Sequence, residues 1–583
     1  MLREAIHHQA GANYAYPVAK DTLLLQVRTA KQDVRRVSVV YGSRYDVDET
    51  EVVLEKYASD LLYDYYRAQV KERSKKFRYY FVIDDGRETL WYNELGLYTE
   101  PSKGFNGAYF HYPHIGESDL YEVPRWLDGA VVYQVFVDRF CKGSTEQDDA
   151  DVLAAGVPPE GDLDFYGGDL AGIIQKLDYL KLLGVNVLYL SPIFDADTNH
   201  GYDTSNYYRI NPRFGSQADF KHLVEQCHKR NMRVILDGVF HSCGYYSPYF
   251  QDVVEKGVKS EYWDMFYLYS YPVRRDPPNY DCFAGSWRLP KLRIGNAKVQ
   301  ALMLDIASYW TREFDIDGWR IDTANEVDHK FLREFRNRIK ACKKDVYIVG
   351  EIWHNSIDFL HGDQLDGVMN YHLATTLFDF FYKRKLSVSE FDGQLTLNRI
   401  SYPKKAVHAA WNVIESHDTH RILYSTDDNK AVLRLMFAMQ MTYPGVPSIY
   451  FGTETGLKSG HESQFIRFPM DWDVETWDKT LMAYIKKLIS IRKQYRALRS
   501  GDIRTVALDD EQEIYVYERF SAVEKAYVIV NRSTAAQTVE LSSGDLGCRD
   551  PGALREVLHD LCIVPEGDCI RLTVPPTEAA ICV

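Results

Sequence analysis

From residue 130 the chain alternates short apolar runs with helix-period segments, and the apolar runs number eight. They are AVVYQVF (130–136), VNVLYLS (185–191), RVILDGV (233–239), GWRID (318–322), VYIVGE (346–351), DGVMN (366–370), AAWNVIE (409–415) and VPSIYF (446–451). Strands alternating with helices pair in parallel, and eight such units close a barrel. GIIQKLDYLKLLG, QADFKHLVEQCHKRN, NAKVQALMLDIASYWTREF and HKFLREFRNRIKACKK read as intervening helices. The last is basic in its final turn, as a helix C-terminus favours. The expected fold class is α/β, a (β/α)8 TIM barrel. The interval from strand three to its helix, roughly 240–296, is too long for a loop and predicts an inserted subdomain.

The flanks have a different period. Residues 1–122 carry alternating runs such as TLLLQVRTA, VRRVSVVYG and KFRYYFVIDDG between polar turns, which predicts an N-terminal β-sandwich. Period two returns after WDKTLMAYIKKLISIRKQYRAL in EIYVYERF and KAYVIVN, so a C-terminal sandwich is expected over 501–583 and the barrel over 123–500. A length of 583 residues suits three such units better than one core.

A net charge of −14 disfavours nucleic acid and favours a neutral partner. No stretch approaches the roughly 18 apolar residues of a membrane span, and the start lacks the regions of a signal peptide. Nine cysteines without CxxC spacing read as free thiols, which points to the cytoplasm. Aromatic residues make up 14% of the chain, and their rings suit both sheet packing and stacking on sugar faces.

In such a barrel the site lies at the C-terminal strand ends. Asp237 closes the third strand, Arg320 and Asp322 the fourth and Glu351 the fifth, while His417 and Asp418 follow the seventh. Each alone reads as a helix cap or an ion-pair partner; four carboxylates and an arginine on one rim read as a functional site. Retaining glycoside hydrolysis needs two carboxyls about 5 Å apart, and neighbouring strands lie roughly 4.8 Å apart. Asp322 is therefore the expected nucleophile, kept ionised by Arg320 on the same strand face. Glu351, between apolar VYIVG and IW, is the carboxyl that desolvation would keep protonated.

GWRIDTANEVDH, VGEIWH, ESHDTHR, FYGGDLAGIIQKLDYLKLLGVNVLYLSPIF and NHGYDTSNYY together resemble the α-amylase family, glycoside hydrolase family 13. Within it they resemble the neopullulanase, cyclomaltodextrinase and maltogenic amylase branch, whose members carry an N-terminal carbohydrate-binding-like domain. The resemblance implies Asp322 as nucleophile, Glu351 as general acid/base and Asp418 as the third carboxylate. It implies substrate-binding or supporting roles for Arg320, His417, Tyr202, His200 and Asp237, with Asp203 supporting the loop. It places Trp353, Asn325, Glu326 and Val327 on the acceptor side. The implied activity is retaining hydrolysis of cyclodextrins, pullulan and short maltooligosaccharides, with transglycosylation. Oligo-1,6-glucosidase, ordinary α-amylase and a carbohydrate-binding protein with weakened catalysis are the alternatives.

Two stretches depart from the family. DGVFHS (237–242) puts His241 where the family has Asn and Ser242 where it has a substrate-contacting His. Loss of that contact would remove a charge-assisted hydrogen bond of about 1.5–3 kcal/mol. In DRFCKGSTEQDD, Lys142 and Ser144 stand where this branch has oxygen ligands for calcium. An ammonium is expected near the vacated position, leaving Asp148, Gly167 and Asp169 as the candidates for a weak calcium site and no required cofactor. The expected partners are neutral α-glucan oligosaccharides and a second copy of the chain, with no membrane or nucleic acid.

Overall fold

The computed structural model describes residues 1–101, 109–144, 151–154, 156–458, 466–547 and 554–583. Eight parallel strands build its centre: β1 (Val132–Val135), β2 (Val187–Leu190), β3 (Arg233–Gly238), β4 (Gly318–Ile321), β5 (Tyr347–Gly350), β6 (Gly367–Val368), β7 (Trp411–Val413) and β8 (Val446–Tyr450). Their order is β6-β5-β4-β3-β2-β1-β8-β7, and a single parallel bridge, Met369 to Trp411, brings the two ends together. The sheet is therefore a nearly closed barrel.

Alternation along each strand decides what faces inward. Val132, Val187, Tyr189, Ile235, Tyr347, Val349, Trp411 and Val446 fill the interior as one apolar cluster. Their odd neighbours Tyr133, Leu188, Val234, Leu236, Trp319 and Ile348 pack outward against the helices. Asp237 lies two residues after Ile235, and Glu351 two after Val349, so both inherit the inward parity. Arg320 pairs with Asp237 across the β3–β4 ladder. At this end of the barrel, charge enters in the last layer.

Helices α1 (Leu170–Leu183), α2 (Gln217–Lys229), α3 (Ala297–Glu313) and α4 (His329–Cys342) follow the first four strands. Side chains of Asp169, Ser216, Asn296 and Asp328 cap their N-termini, which satisfies donors that a helix start leaves unpaired. The unit after β5 departs from the pattern, since a 3-10 turn at Ile357–Phe359 is its only helix. The segment between β3 and α3 is an inserted subdomain with a helix at Pro248–Lys256 and isolated bridges including Ser242 to Lys291 and Phe266 to Leu292. Its aromatic residues serve mainly its own core: Phe250 packs on Phe266 and Tyr280, and Tyr245 on Trp287.

Before the barrel, four strands within Ala15–Lys71 form one antiparallel sheet, and strands within Arg36–Tyr112 form a second. Leu23, Leu25, Val27, Val37, Val39, Phe77, Tyr79 and Phe81 fill the space between them. After the barrel, strands from Asp502–Asp509 to Glu578–Cys582 form a six-stranded sheet with a two-stranded partner. Among the described residues no helix is long and apolar enough to cross a membrane, and the eight described cysteines are free.

Candidate active site

The C-terminal rim opens into a cleft of about 370 Å³ lined by His200, Tyr202, His241, Ser242, Asp322, Glu351, Asp418 and Arg467, with Phe283 and Leu289 of the insertion forming part of its wall. Beneath it, Arg320 is fully buried. Its Nη1 donates to Asp237 Oδ1 and Oδ2 at 2.9 Å and to Asp322 Oδ1 at 2.6 Å. Nη2 lies 2.8 Å from Glu351 Oε2 in an ion pair too bent to count as a hydrogen bond. One guanidinium thus holds three carboxylates.

The ladder sets the two upper carboxylates side by side. Asp322 N–H donates to Gly238 O, and Glu351 N–H donates to Ile321 O, so each leaves the barrel at the same height. Thr323 turns sharply with φ +43°, which aims its N–H at Glu351 Oε2 (3.0 Å). A left-handed threonine is strained, and such strain gathers at functional sites. Trp353 Nε1 donates to Glu351 Oε1 at 3.0 Å while the indole stacks on Tyr371 at 3.6 Å. Trp353 stays 49% exposed and lies outside the lining of the cleft itself.

Asp322 behaves differently from the sequence expectation. Burial pushes its carboxyl well above the usual carboxylate range; Arg320 opposes this, while Glu351, Asp237 and Asp418 add to it. Arg320 touches Asp322, yet its single charge is divided among three anions and does not prevail. Desolvation is the largest influence on the Asp322 carboxyl.

His417 and Tyr202 form the bridge to the third carboxylate. Gln134 Nε2 lies 2.5 Å from His417 Nδ1, and His417 Nε2 lies 2.5 Å from Tyr202 OH and 3.1 Å from Asp418 Oδ2. A Gln amide can only donate there, so Nδ1 accepts and Nε2 carries the hydrogen. Burial, with Arg320 and Arg467 nearby, pushes His417 well below the usual imidazole range, and it is neutral at pH 7. Tyr202 stacks on His417 and donates to Asp237 Oδ2 at 2.9 Å. Asp418 Oδ1 lies 3.5 Å from Arg467 Nη2. His200 Nδ1 accepts the Tyr202 N–H at 3.0 Å. Asp203 is buried and takes the Thr198 hydroxyl, so it supports the loop as expected from the sequence.

Several residues grouped as substrate-binding sit elsewhere. Asp237, Arg320 and His417 are at most 1% exposed and form the layer under the cleft floor. Glu326 pairs with Lys291 at 2.7 Å and ties the insertion to the loop after β4. Asn325 faces solvent and Val327 is buried, and none of these three lines the cleft. Sequence reasoning missed Tyr189, which donates to Asp237 at 2.7 Å, and Gln134. Their inward parity on β2 and β1 was the available signal. Arg467 lies outside any strand and carried none.

Of the candidate calcium residues, Asp169 is engaged by backbone N–H groups. Asp169 Oδ1 accepts from Gly143 and Gly172 N–H, and Oδ2 from Ser144 N–H. Gly167 has φ +76° and donates its N–H to Asp138, and the Lys142 side chain lies against it. Asp148 lies outside the described residues. Calcium wants six to eight oxygen ligands; a carboxylate already engaged by three N–H donors beside a lysine does not fit it.

Carboxylates paired across adjacent strands and a third across the rim, at the mouth of an eight-stranded barrel, define a glycoside hydrolase site. Residues 134–473 match the profile of the alpha amylase catalytic domain, and residues 1–116 that of the alpha amylase N-terminal ig-like domain. A cyclomaltodextrinase of Geobacillus thermopakistaniensis (strain MAS1) is 43% identical over 93% of each chain, and a maltogenic alpha-amylase of Bacillus acidopullulyticus is 39% identical over 93% of this chain and 94% of its own. A solved cyclomaltodextrinase structure superposes with a TM-score of 0.93 at 35% identity, covering 100% of both chains. The chain belongs to the alpha-amylase family and is a glycoside hydrolase.

Proposed function

We propose that the protein opens cyclodextrins and cleaves pullulan and short maltooligosaccharides with retention, transferring part of the glycosyl product to sugar acceptors. The observation that carries this is the placement of Asp322 and Glu351 at equal height on adjacent strands, both tied to Arg320. Asp322 attacks in its ionised form, which Arg320 favours against burial; Arg320 holds Oδ1, so Oδ2 is the free oxygen that attacks the anomeric carbon. Glu351 gives its proton to the glycosidic oxygen as that bond breaks, and the sugar remains esterified to Asp322. Glu351 then takes a proton from water, whose oxygen displaces Asp322. A sugar hydroxyl in place of water gives transfer. Asp418, opposite the pair, holds sugar hydroxyls as charge builds on the ring.

The relatives named cyclomaltodextrinase and maltogenic alpha-amylase support small and cyclic substrates. A homodimer in which a second copy narrows the cleft would explain such a preference, and free thiols support a cytoplasmic setting. No cofactor takes part. The test is product analysis with β-cyclodextrin, pullulan and starch, alongside an Asp322→Asn control and an EDTA-treated sample. Rapid ring opening that survives EDTA and vanishes in the control is expected; starch leading overturns the substrate class. Sedimentation as a monomer at micromolar concentration overturns the dimer.

A further inference from the structure

His241 is 2% exposed and lines the cleft wall, with its ring edge-on to Phe283 at 4.9 Å. Its Nδ1 has no hydrogen-bond partner and lies 3.6 Å from Asp322 Oδ2. Its Nε2 lies 3.3 Å from Ser242 Oγ. Buried polar atoms are rarely left unpaired, and one on a side chain that lines a cleft, beside the carboxylate Asp322, marks a place for a ligand. The two contacts also select the tautomer. With Asp322 ionised, the form in which it attacks, a lone pair on Nδ1 would face the carboxylate lone pairs, whereas a hydrogen on Nδ1 faces them favourably. Nε2 then accepts from the Ser242 hydroxyl. Burial, with Lys291 nearby, pushes the imidazole down to about 3, so the ring stays neutral and can hold this tautomer.

We propose that His241 contacts the sugar attacked by Asp322, its Nδ1–H donating to a hydroxyl of that sugar beside Oδ2, and that Ser242 fixes its tautomer. The inference rests on the proposed glycosidase reading. Under it, Ser242 is not a lost contact: the histidine stands one position earlier, and the serine serves it. Because Arg320 holds Oδ1, the two oxygens of Asp322 have separate neighbours, a cation for the anchored one and a neutral donor for the attacking one. A neutral imidazole beside Oδ2 leaves its nucleophilicity intact, which a second cation would lower.

The experiment is a double-mutant cycle on β-cyclodextrin, reading kcat and KM separately, with β-cyclodextrin binding measured by calorimetry in an Asp322→Asn background. His241→Leu is expected to lower kcat/KM about 10- to 100-fold, the range for a hydrogen bond at a charged centre. His241→Asn, which keeps an N–H near Nδ1, should recover most of that loss. Ser242→Ala should cost a few-fold alone and nothing further when His241 is Leu, since the serine acts only through the ring. Urea unfolding of each variant separates these effects from folding. The inference is overturned if wild type cleaves and His241→Leu cleaves equally well, if Asn gives no recovery, or if the two losses multiply. If wild type neither cleaves nor binds cyclodextrin, the glycosidase reading falls and takes this one with it. If it binds without cleaving, weakened binding of the Leu variant sustains the contact, and unchanged binding ends it.

Discussion

The strand β4 carries an aspartate near each end of its segment, Asp317 and Asp322, and their surroundings are opposite. At the lower end Asp317, fully buried, meets three basic groups: His228 Nε2 at 2.8 Å, Arg233 Nη1 at 2.8 Å and Lys343 Nζ at 3.0 Å. It also accepts the Val234 N–H. Burial alone would raise its carboxyl, but these partners hold it at about 2. At the upper end three carboxylates share Arg320, and Asp322 is pushed up. The same residue type five positions apart is a clamp at one end and a strained reagent at the other. The ratio of anions to cations decides which.

The largest expected effect is at the upper end. Asp322→Asn should lower cyclodextrin turnover by at least about 10⁴-fold, the scale of losing a covalent nucleophile. The same variant should unfold at equal or higher urea concentration. A carboxyl whose folded pKa is raised weakens the fold as pH climbs above its unfolded value, so its removal relieves that cost. A destabilised Asp322→Asn protein at pH 7 would break the comparison.

Next comes Glu351→Gln, expected to slow cyclodextrin opening by about 10²- to 10⁴-fold. An aryl maltoside whose leaving group needs no proton should suffer far less in the first step. Equal loss on both substrates would remove Glu351 from the acid role.

At the lower end the expectation reverses. Asp317→Asn should destabilise the protein by about 3 kcal/mol, as loss of one member of a buried ion cluster does, while folded enzyme keeps its kcat. Urea midpoints and rates together check this. In wild type the Asp317 pKa is depressed, so its stabilisation is full above the unfolded value near 3.8 and is lost as pH falls toward 2, a change of about 2 kcal/mol. The Asn variant should lack that part of the acid dependence.

The smallest effect belongs to the Lys291–Glu326 tie between the insertion and the β4 loop. Both side chains are partly exposed, so Glu326→Gln should cost under about 1 kcal/mol and change KM by only a few-fold. A large fall in kcat would give Glu326 the role in chemistry that its position outside the cleft argues against.

The architecture was legible because it is written in periods. The eight apolar runs and the helices after the first four strands appear where the pattern puts them, since burial on both faces of a parallel strand demands continuous apolar residues. Asp322, Glu351 and Asp418 were legible as strand-end carboxylates. The 3-10 turn after β5 was not, because no rule of periodicity says when a barrel omits a helix. Nor was the lining of the cleft. Inward parity places Tyr189, Asp237 and Arg320 correctly, but which of them reaches the open space depends on depth along the barrel axis.

By itself, the sequence determined the barrel, the two flanking sandwiches and the acidic rim, because hydrophobic period and residue type are local properties of the chain. Only the tertiary structure decided the electrostatics. That Asp322 is raised while Asp317 is lowered, that Asp169 accepts three backbone N–H groups, and that His241 faces Asp322 all follow from how many charges and donors converge from distant segments. Those numbers exist only once the strands are side by side.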